Sequence, residues 1–176
     1  MSACSRDYSP KPGAYFYIHL RQPVYHSLGG YSGFEFDISN QATVENVKDS
    51  LKIDWFNLNY PPYNARIYCT YFPITAADFQ TKAAESKEMA YFHAIKADGI
   101  DEYEFKNPEQ KVYALVYEIK GNVASPVQFM VTDSVRSFFR GALYFDNPPN
   151  QDSIAPVLDY INKDIHVILE SFRWKR

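Results

Sequence analysis

Near the end of the chain Ile154, Val157, Leu158, Ile161, Ile165, Ile168, Leu169 and Phe172 recur at i, i+3, i+4 and i+7, the spacing that lines one face of an α-helix. Asp152 or Ser153 stands where a cap is needed and Pro156 falls in the first turn. Lys175 and Arg176 follow the end, where positive charge suits the helix dipole. Such a helix spans about 30 Å, and an apolar stripe of that length needs a broad apolar surface to receive it. Val112 to Ile119, Val127 to Thr132 and Phe138 to Phe145 supply one. These strand-like runs, the first gap punctuated by Gly121-Asn122, are too close together for parallel crossovers and predict antiparallel neighbours. Pro126 either starts the middle run or marks an edge.

Upstream, Ala14 to Leu20 reads as a strand closed by Arg21-Gln22-Pro23, and Gly33 to Ile38 as another, its Phe34, Phe36 and Ile38 alternating with acids. Gly29-Gly30-Tyr31-Ser32-Gly33 reads as a turn between strands. Ile53 to Leu58 is a third strand, running into a turn at Tyr60-Pro61-Pro62-Tyr63 because proline lacks a ladder donor. The run Ala65 to Phe72 is a fourth. A second helix opens at Pro73-Ile74-Thr75, with Thr75 as cap and Asp78 three residues on, and runs towards Lys96 with Gly99 as its stop. The stretch Asp101 to Gln110 is polar and receives no element. Fifteen tyrosines and thirteen phenylalanines favour a sheet-rich fold and exclude disorder. The expectation is an α+β fold: one domain over residues 14–176, a mainly antiparallel sheet packed by the long C-terminal helix and by the second helix.

Charge narrows the function classes. The 18 basic and 21 acidic residues are interspersed and leave a formal net charge of −3, with no basic footprint for nucleic acid. No apolar run approaches the roughly 18 residues of a membrane-spanning helix. Of the two cysteines, Cys69 alternates with Ile67 and Tyr71 and reads as an inert core thiol. Cys4 instead follows Ser2-Ala3 and precedes the proline-punctuated stretch Ser5 to Gly13, which reads as a tether. Small residues before a cysteine are like the end of a bacterial lipoprotein signal, which would make residues 1–3 a signal remnant and Cys4 the lipidated residue. A free thiol in a frayed terminus is the alternative.

Catalytic signals are weak. His19, His26, His93 and His166 form no i, i+4 pair and have no cysteine partner at zinc spacing, so no metal is expected. Neither a P-loop nor a Gly-x-Gly-x-x-Gly fingerprint occurs, and no cofactor is expected. His93, ahead of Lys96, Ala97 and Asp98, fits a cationic group at a helix C-terminus, and His166 a solvated helix flank. Thr132-Asp133-Ser134, with His93, holds the residue types of a serine hydrolase, but no nucleophile elbow surrounds Ser134 and an Asx turn explains the pair as well. Arg136 and Arg140 flank Phe138-Phe139 and fit an anion or partner site, or two solvated arginines on a strand. The residues by themselves give a non-enzymatic, tethered α+β domain, with an envelope serine hydrolase as the alternative.

Several runs together resemble one family. Cys4-Ser5-Arg6-Asp7-Tyr8-Ser9-Pro10-Lys11-Pro12 with Tyr15-Phe16-Tyr17-Ile18 resembles the mature start of the gliding motility lipoproteins GldD of Bacteroidota. Trp55-Phe56-Asn57-Leu58, Gly121-Asn122-Val123-Ala124-Ser125, Phe139 to Phe145 and Pro149 to Val157 continue the likeness collinearly to Trp174. Tyr17 and Pro126 depart from it. The resemblance implies lipidation at Cys4, with fatty acyl chains such as palmitate, and an anchor in the cell envelope; no acidic run follows Cys4, which points to the periplasmic side. It also implies an accessory role in gliding and type IX secretion through envelope protein partners, without catalytic residues. The surface expected to meet partners comprises His93, Lys96, Asp98, Asp133, Ser134, Arg136 and Arg140. The strand pattern with its last helix further resembles the PsbP-type α/β/α sandwich, a fold-level likeness to a binding module.

Overall fold

The computed structural model describes residues 19–47, 54–95, 97–146 and 151–175, without the side chains of 151–153. The tether of residues 1–13 with Cys4, residue Lys96 and the capping side chains of Asp152 and Ser153 lie outside the described residues. In chain order the strands are β1 (Tyr25–Leu28), β2 (Phe34–Ser39), β3 (Thr43–Asn46), β4 (Asp54–Tyr60), β5 (Ala65–Pro73), β6 (Gly99–Asn107), β7 (Val112–Lys120), β8 (Val127–Thr132), β9 (Ser137–Phe145) and β10 (Arg173–Trp174). Helix α1 covers Phe79–Ala94 and α2 covers Gln151–Ser171. The architecture is α+β, with antiparallel pairing throughout the described residues.

Two meanders build the main sheet, in the order β3-β4-β5-β9-β8-β7-β6. After β5 the chain crosses through α1 to the far edge and returns through β6, β7 and β8, so that β9 closes against β5 from Ala65↔Phe145 to Pro73↔Ser137. A second, small sheet has the order β1-β2-β10. Strand alternation separates the two faces. Phe129, Phe139 and Leu143 join the core under α2 and β2, whereas Tyr144, on the opposite face of β9, meets His93 of α1. The layers are therefore α1, main sheet, then α2 with the small sheet.

Aromatic rings fill the core. Phe34, Phe36, Phe56, Phe139 and Phe172 are fully buried, and their centroids lie 5.2 to 6.5 Å apart in stacked and edge-on pairs. Such pairs add stabilisation of about 0.5–1.5 kcal/mol each beyond their burial. The apolar face of α2 packs as its spacing predicts, with Val157, Ile161, Ile165, Ile168, Leu169 and Phe172 all buried.

Some expectations need correction. His19 and Leu20, the described part of the strand expected at Ala14–Leu20, are not in a strand. The polar stretch Asp101 to Gln110 belongs largely to β6, an edge strand that turns Tyr103 and Phe105 towards the core and puts charges in solvent. The second helix starts at Phe79, because both the amide and the hydroxyl of Thr75 donate to Asp78 Oδ2 (2.9 and 2.6 Å) in a turn that precedes it. Pro126 precedes β8, a central strand, so the first of its two readings holds.

Candidate functional site

The residues expected to form one surface are distributed over two ends of the sheet. Helix α1 lays the small, buried Ser86 and Ala90 on the sheet, which lets its last turn come close enough for His93 Nε2 to meet the Tyr144 hydroxyl at 2.9 Å. His93 is thus held by the sheet and does not cap the helix. Burial, and then the nearby charge of Arg140, push its imidazole below the ordinary value of 6.5. Arg140 Nη2 donates to Oε1 of the buried Gln128 at 2.6 Å, and burial lowers the guanidinium as well. His93 and Arg140 therefore do come together.

The others do not join them. Asp98 belongs to the turn between α1 and β6: its amide donates to the Lys120 carbonyl at 2.9 Å, and its carboxylate lies against Gly121, whose φ of +101° glycine alone adopts freely. Asp133, Ser134 and Arg136 make the β8–β9 turn at the opposite end. Asp133 Oδ1 accepts the amides of Val135, Arg136 and Ser137 at 3.0, 2.7 and 2.9 Å, and Ser134, with φ 67°, donates its amide to Thr132 Oγ1 at 2.9 Å. This is the Asx-turn alternative. Seven residues of β9 separate that turn from Tyr144, roughly 24 Å at strand pitch, so Ser134 and His93 are not a nucleophile–base pair. Asp133→Ala is expected to cost about 1–3 kcal/mol in urea denaturation, the signature of an organised turn rather than of a free surface carboxylate.

A second constellation escapes the sequence reading. Asp164 of α2 is only 1% exposed. Its Oδ1 accepts the Tyr25 hydroxyl of β1 at 2.7 Å. Tyr60 from the end of β4 and Ser39 of β2 face the same carboxylate, with Tyr160 one turn back on α2 near enough to feel its charge, all three buried. The hydroxyls of Tyr60 and Ser39 face Asp164 closely enough to favour its charge, and the Tyr60 hydroxyl, the Tyr160 hydroxyl and Asp164 Oδ2 are all shut off from solvent. Tyr63 packs edge-on against Tyr160 at 5.3 Å and accepts the Arg21 amide at 3.3 Å. A cavity of about 260 Å³ opens here, lined by Leu20, Arg21, Tyr25, Tyr160, Lys163 and Asp164 among others. Position 164 lies three residues after Ile161 and four before Ile168, on the apolar stripe itself. A carboxylate in that register was the available signal.

Burial raises Asp164 above the ordinary 3.8, and the hydrogen bond from Tyr25 offsets this only in part. The folded protein therefore holds a proton that the unfolded chain has released. The stability this contributes is fully present below the ordinary value and is lost as pH rises through the raised one. Denaturation across that window is expected to show a declining component that Asp164→Asn removes.

No curated protein matches the chain. The model of the family described as gliding motility lipoprotein GldD matches residues 5–174, nearly the entire length. The chain belongs to the gliding motility lipoprotein family GldD.

Proposed function

We propose that this protein is an accessory component of the gliding and type IX secretion apparatus of Bacteroidota, lipid-anchored through Cys4, facing the periplasm and acting through protein contacts rather than catalysis. The family match over residues 5–174 carries the reading. Cys4 stands immediately ahead of the matched span, and a diacylated cysteine supplies the two chains that stable anchoring needs. Among the described residues no helix is long and apolar enough to cross a membrane, so a covalent lipid is a means of attachment compatible with this fold. Helix α1 offers contact area for an envelope protein: Phe92 and Ile95 are 70% and 74% exposed, with Met89 and Tyr91 beside them and His93 on the inner side.

The test is expression from the native gene, membrane fractionation and mass spectrometry of the N-terminal peptide. Acyl chains on Cys4 and release of Cys4→Ser from the membrane fraction are expected. An unmodified Cys4 thiol in membrane-associated protein would refute the anchor.

A further inference from the structure

The geometry points to a binding site for a small carboxylate ligand beside the last turn of α1, with Arg140 as the charged group that receives it and Tyr68, Tyr144 and His93 around it. This goes beyond the apparatus reading and does not depend on it. Among the described residues the surface cations Arg66, Lys82, Lys87, Lys106, Lys120 and Lys175 each have a carboxylate partner, whereas Arg140 has none. Yet Arg140 is half-buried, on the central strand β9 of the main sheet. An enclosed positive charge without a counter-charge is costly, and an anion taken from solution removes that cost through charge-assisted hydrogen bonds. The guanidinium can be reached: Nε is shut off from solvent and Nη2 donates to Gln128 at 2.6 Å, but Nη1 is neither bonded to a described group nor shut off.

Register explains how these groups meet. Ala142 lies opposite Gln128 of β8 and Tyr68 of β5, so reaching Gln128 carries the guanidinium alongside this small residue, towards Tyr144 and His93, which lie near enough for its charge to act between them. Tyr68, Tyr144 and His93 are half-buried and keep contact with solvent. The Tyr144 hydroxyl and His93 Nε2 hold each other at 2.9 Å, and Tyr68 packs edge-on against Tyr144 at 5.3 Å, so the surround is fixed before a ligand arrives. Charge selects the ligand. Burial and Arg140 lower His93 below 6.5, which leaves the imidazole uncharged at neutral pH, and no described carboxylate acts on either group. Arg66 stands over the Tyr68 ring at 5.8 Å, but Asp146 takes up its charge at 2.8 Å. One positive charge remains, which matches a carboxylate and leaves the second charge of a phosphate dianion unmatched. Tyr68 and the exposed Phe92, edge-on to His93 at 6.0 Å, offer ring surface to an apolar body behind the carboxylate.

The test is a proton-NMR titration of the full chain at neutral pH and constant ionic strength, following the imidazole resonances, with that of His93 assigned by its loss in His93→Gln. Sodium acetate and sodium benzoate are the probes, acetamide is the uncharged reference and inorganic phosphate the doubly charged one. At least one carboxylate is expected to shift the His93 resonance saturably, with a midpoint in roughly the millimolar range, while the other histidines stay in place. Acetamide should leave His93 unmoved, and phosphate should bind more weakly than the carboxylate. Arg140→Gln should weaken carboxylate binding roughly tenfold or more. The acetamide comparison needs no variant and keeps the test open if Arg140→Gln fails to fold. The proposal is overturned if neither carboxylate shifts His93 saturably, if acetamide shifts it as much, if phosphate binds more tightly, or if folded Arg140→Gln binds undiminished.

Discussion

Phe139→Ala is expected to lower the unfolding free energy by about 3–5 kcal/mol, a large share of the roughly 5–15 kcal/mol that holds a typical domain together. Phe139 is fully buried near the start of β9. Its ring lies 5.2 Å from Phe34 and 5.6 Å from Phe36 of the small sheet, 6.2 Å from both Phe56 and Phe129 in the main sheet, and 5.4 Å from Phe172 beyond α2. Truncation therefore empties the point at which both sheets and the C-terminal helix segment meet. Rings on several sides cannot all move inward, so a cavity should remain and add to the lost transfer energy. Urea denaturation monitored by near-ultraviolet dichroism reads the effect, with Phe92→Ala on the exposed face of α1 as the comparison, expected within about 0.5 kcal/mol of the parent. A loss below about 1 kcal/mol for Phe139→Ala would mean that the rings repack and that no single one organises the core.

A methyl group at position 141 should be nearly as damaging. The ring of Phe129, directly opposite Gly141 in the β8–β9 register, lies across the glycine so closely that an added Cβ would sit 2.1 Å from Phe129 Cζ. The ring substitutes for the side chain that the glycine lacks, covering backbone that would otherwise be bare. It cannot withdraw, because Phe129 is buried and stacks on Phe139 at 6.2 Å. Gly141→Ala is expected to cost about 1–3 kcal/mol, and Gly141→Val more. A double-mutant cycle identifies the cause: in a Phe129→Leu background the penalty of Gly141→Ala should shrink clearly. An unchanged penalty would place the strain in the backbone instead.

The sequence disclosed the elements whose two faces differ. Strands β7, β8 and β9 and helix α2 show their periodicity because one or both faces are apolar and buried. Both edges of the main sheet were hidden for one physical reason: an edge strand guards its open hydrogen-bonding side with polarity. In β6 the residues Asp101, Glu102, Glu104 and Lys106 overwrite the signal of Tyr103 and Phe105, and all four residues of β3 are exposed. The small sheet was half visible, since β2 alternates cleanly while β1 and β10 are short and take their form from pairing with it. The two groups of candidate residues fared differently. Asp133 and Ser134 carry a local turn signature that is readable without a fold, whereas the approach of His93 to Arg140 depends on where α1 crosses the sheet. In the Asp164 constellation the carboxylate on the apolar stripe of α2 is the one local signal, and its partners from β1, β2 and β4 come from distant segments that no local pattern announces.

The way in which the chain enters the fold has a mechanical consequence. Before β1 begins, Val24 exchanges two bonds with Asn40: its carbonyl accepts the Asn40 amide at 2.8 Å and its amide donates to Asn40 Oδ1 at 3.1 Å. One residue later Tyr25 is fastened to Asp164. Among the described residues, tension drawn along the chain from ahead of residue 19 meets the long Arg21–Tyr63 hydrogen bond and then these three bonds, and passes from them to β2 and α2. The pairing of β5 with β9, nine residues long, stands outside that load path. A pull at this end is thus borne by the small sheet and by one buried carboxylate, and the seven-stranded sheet behind them keeps its register while they yield.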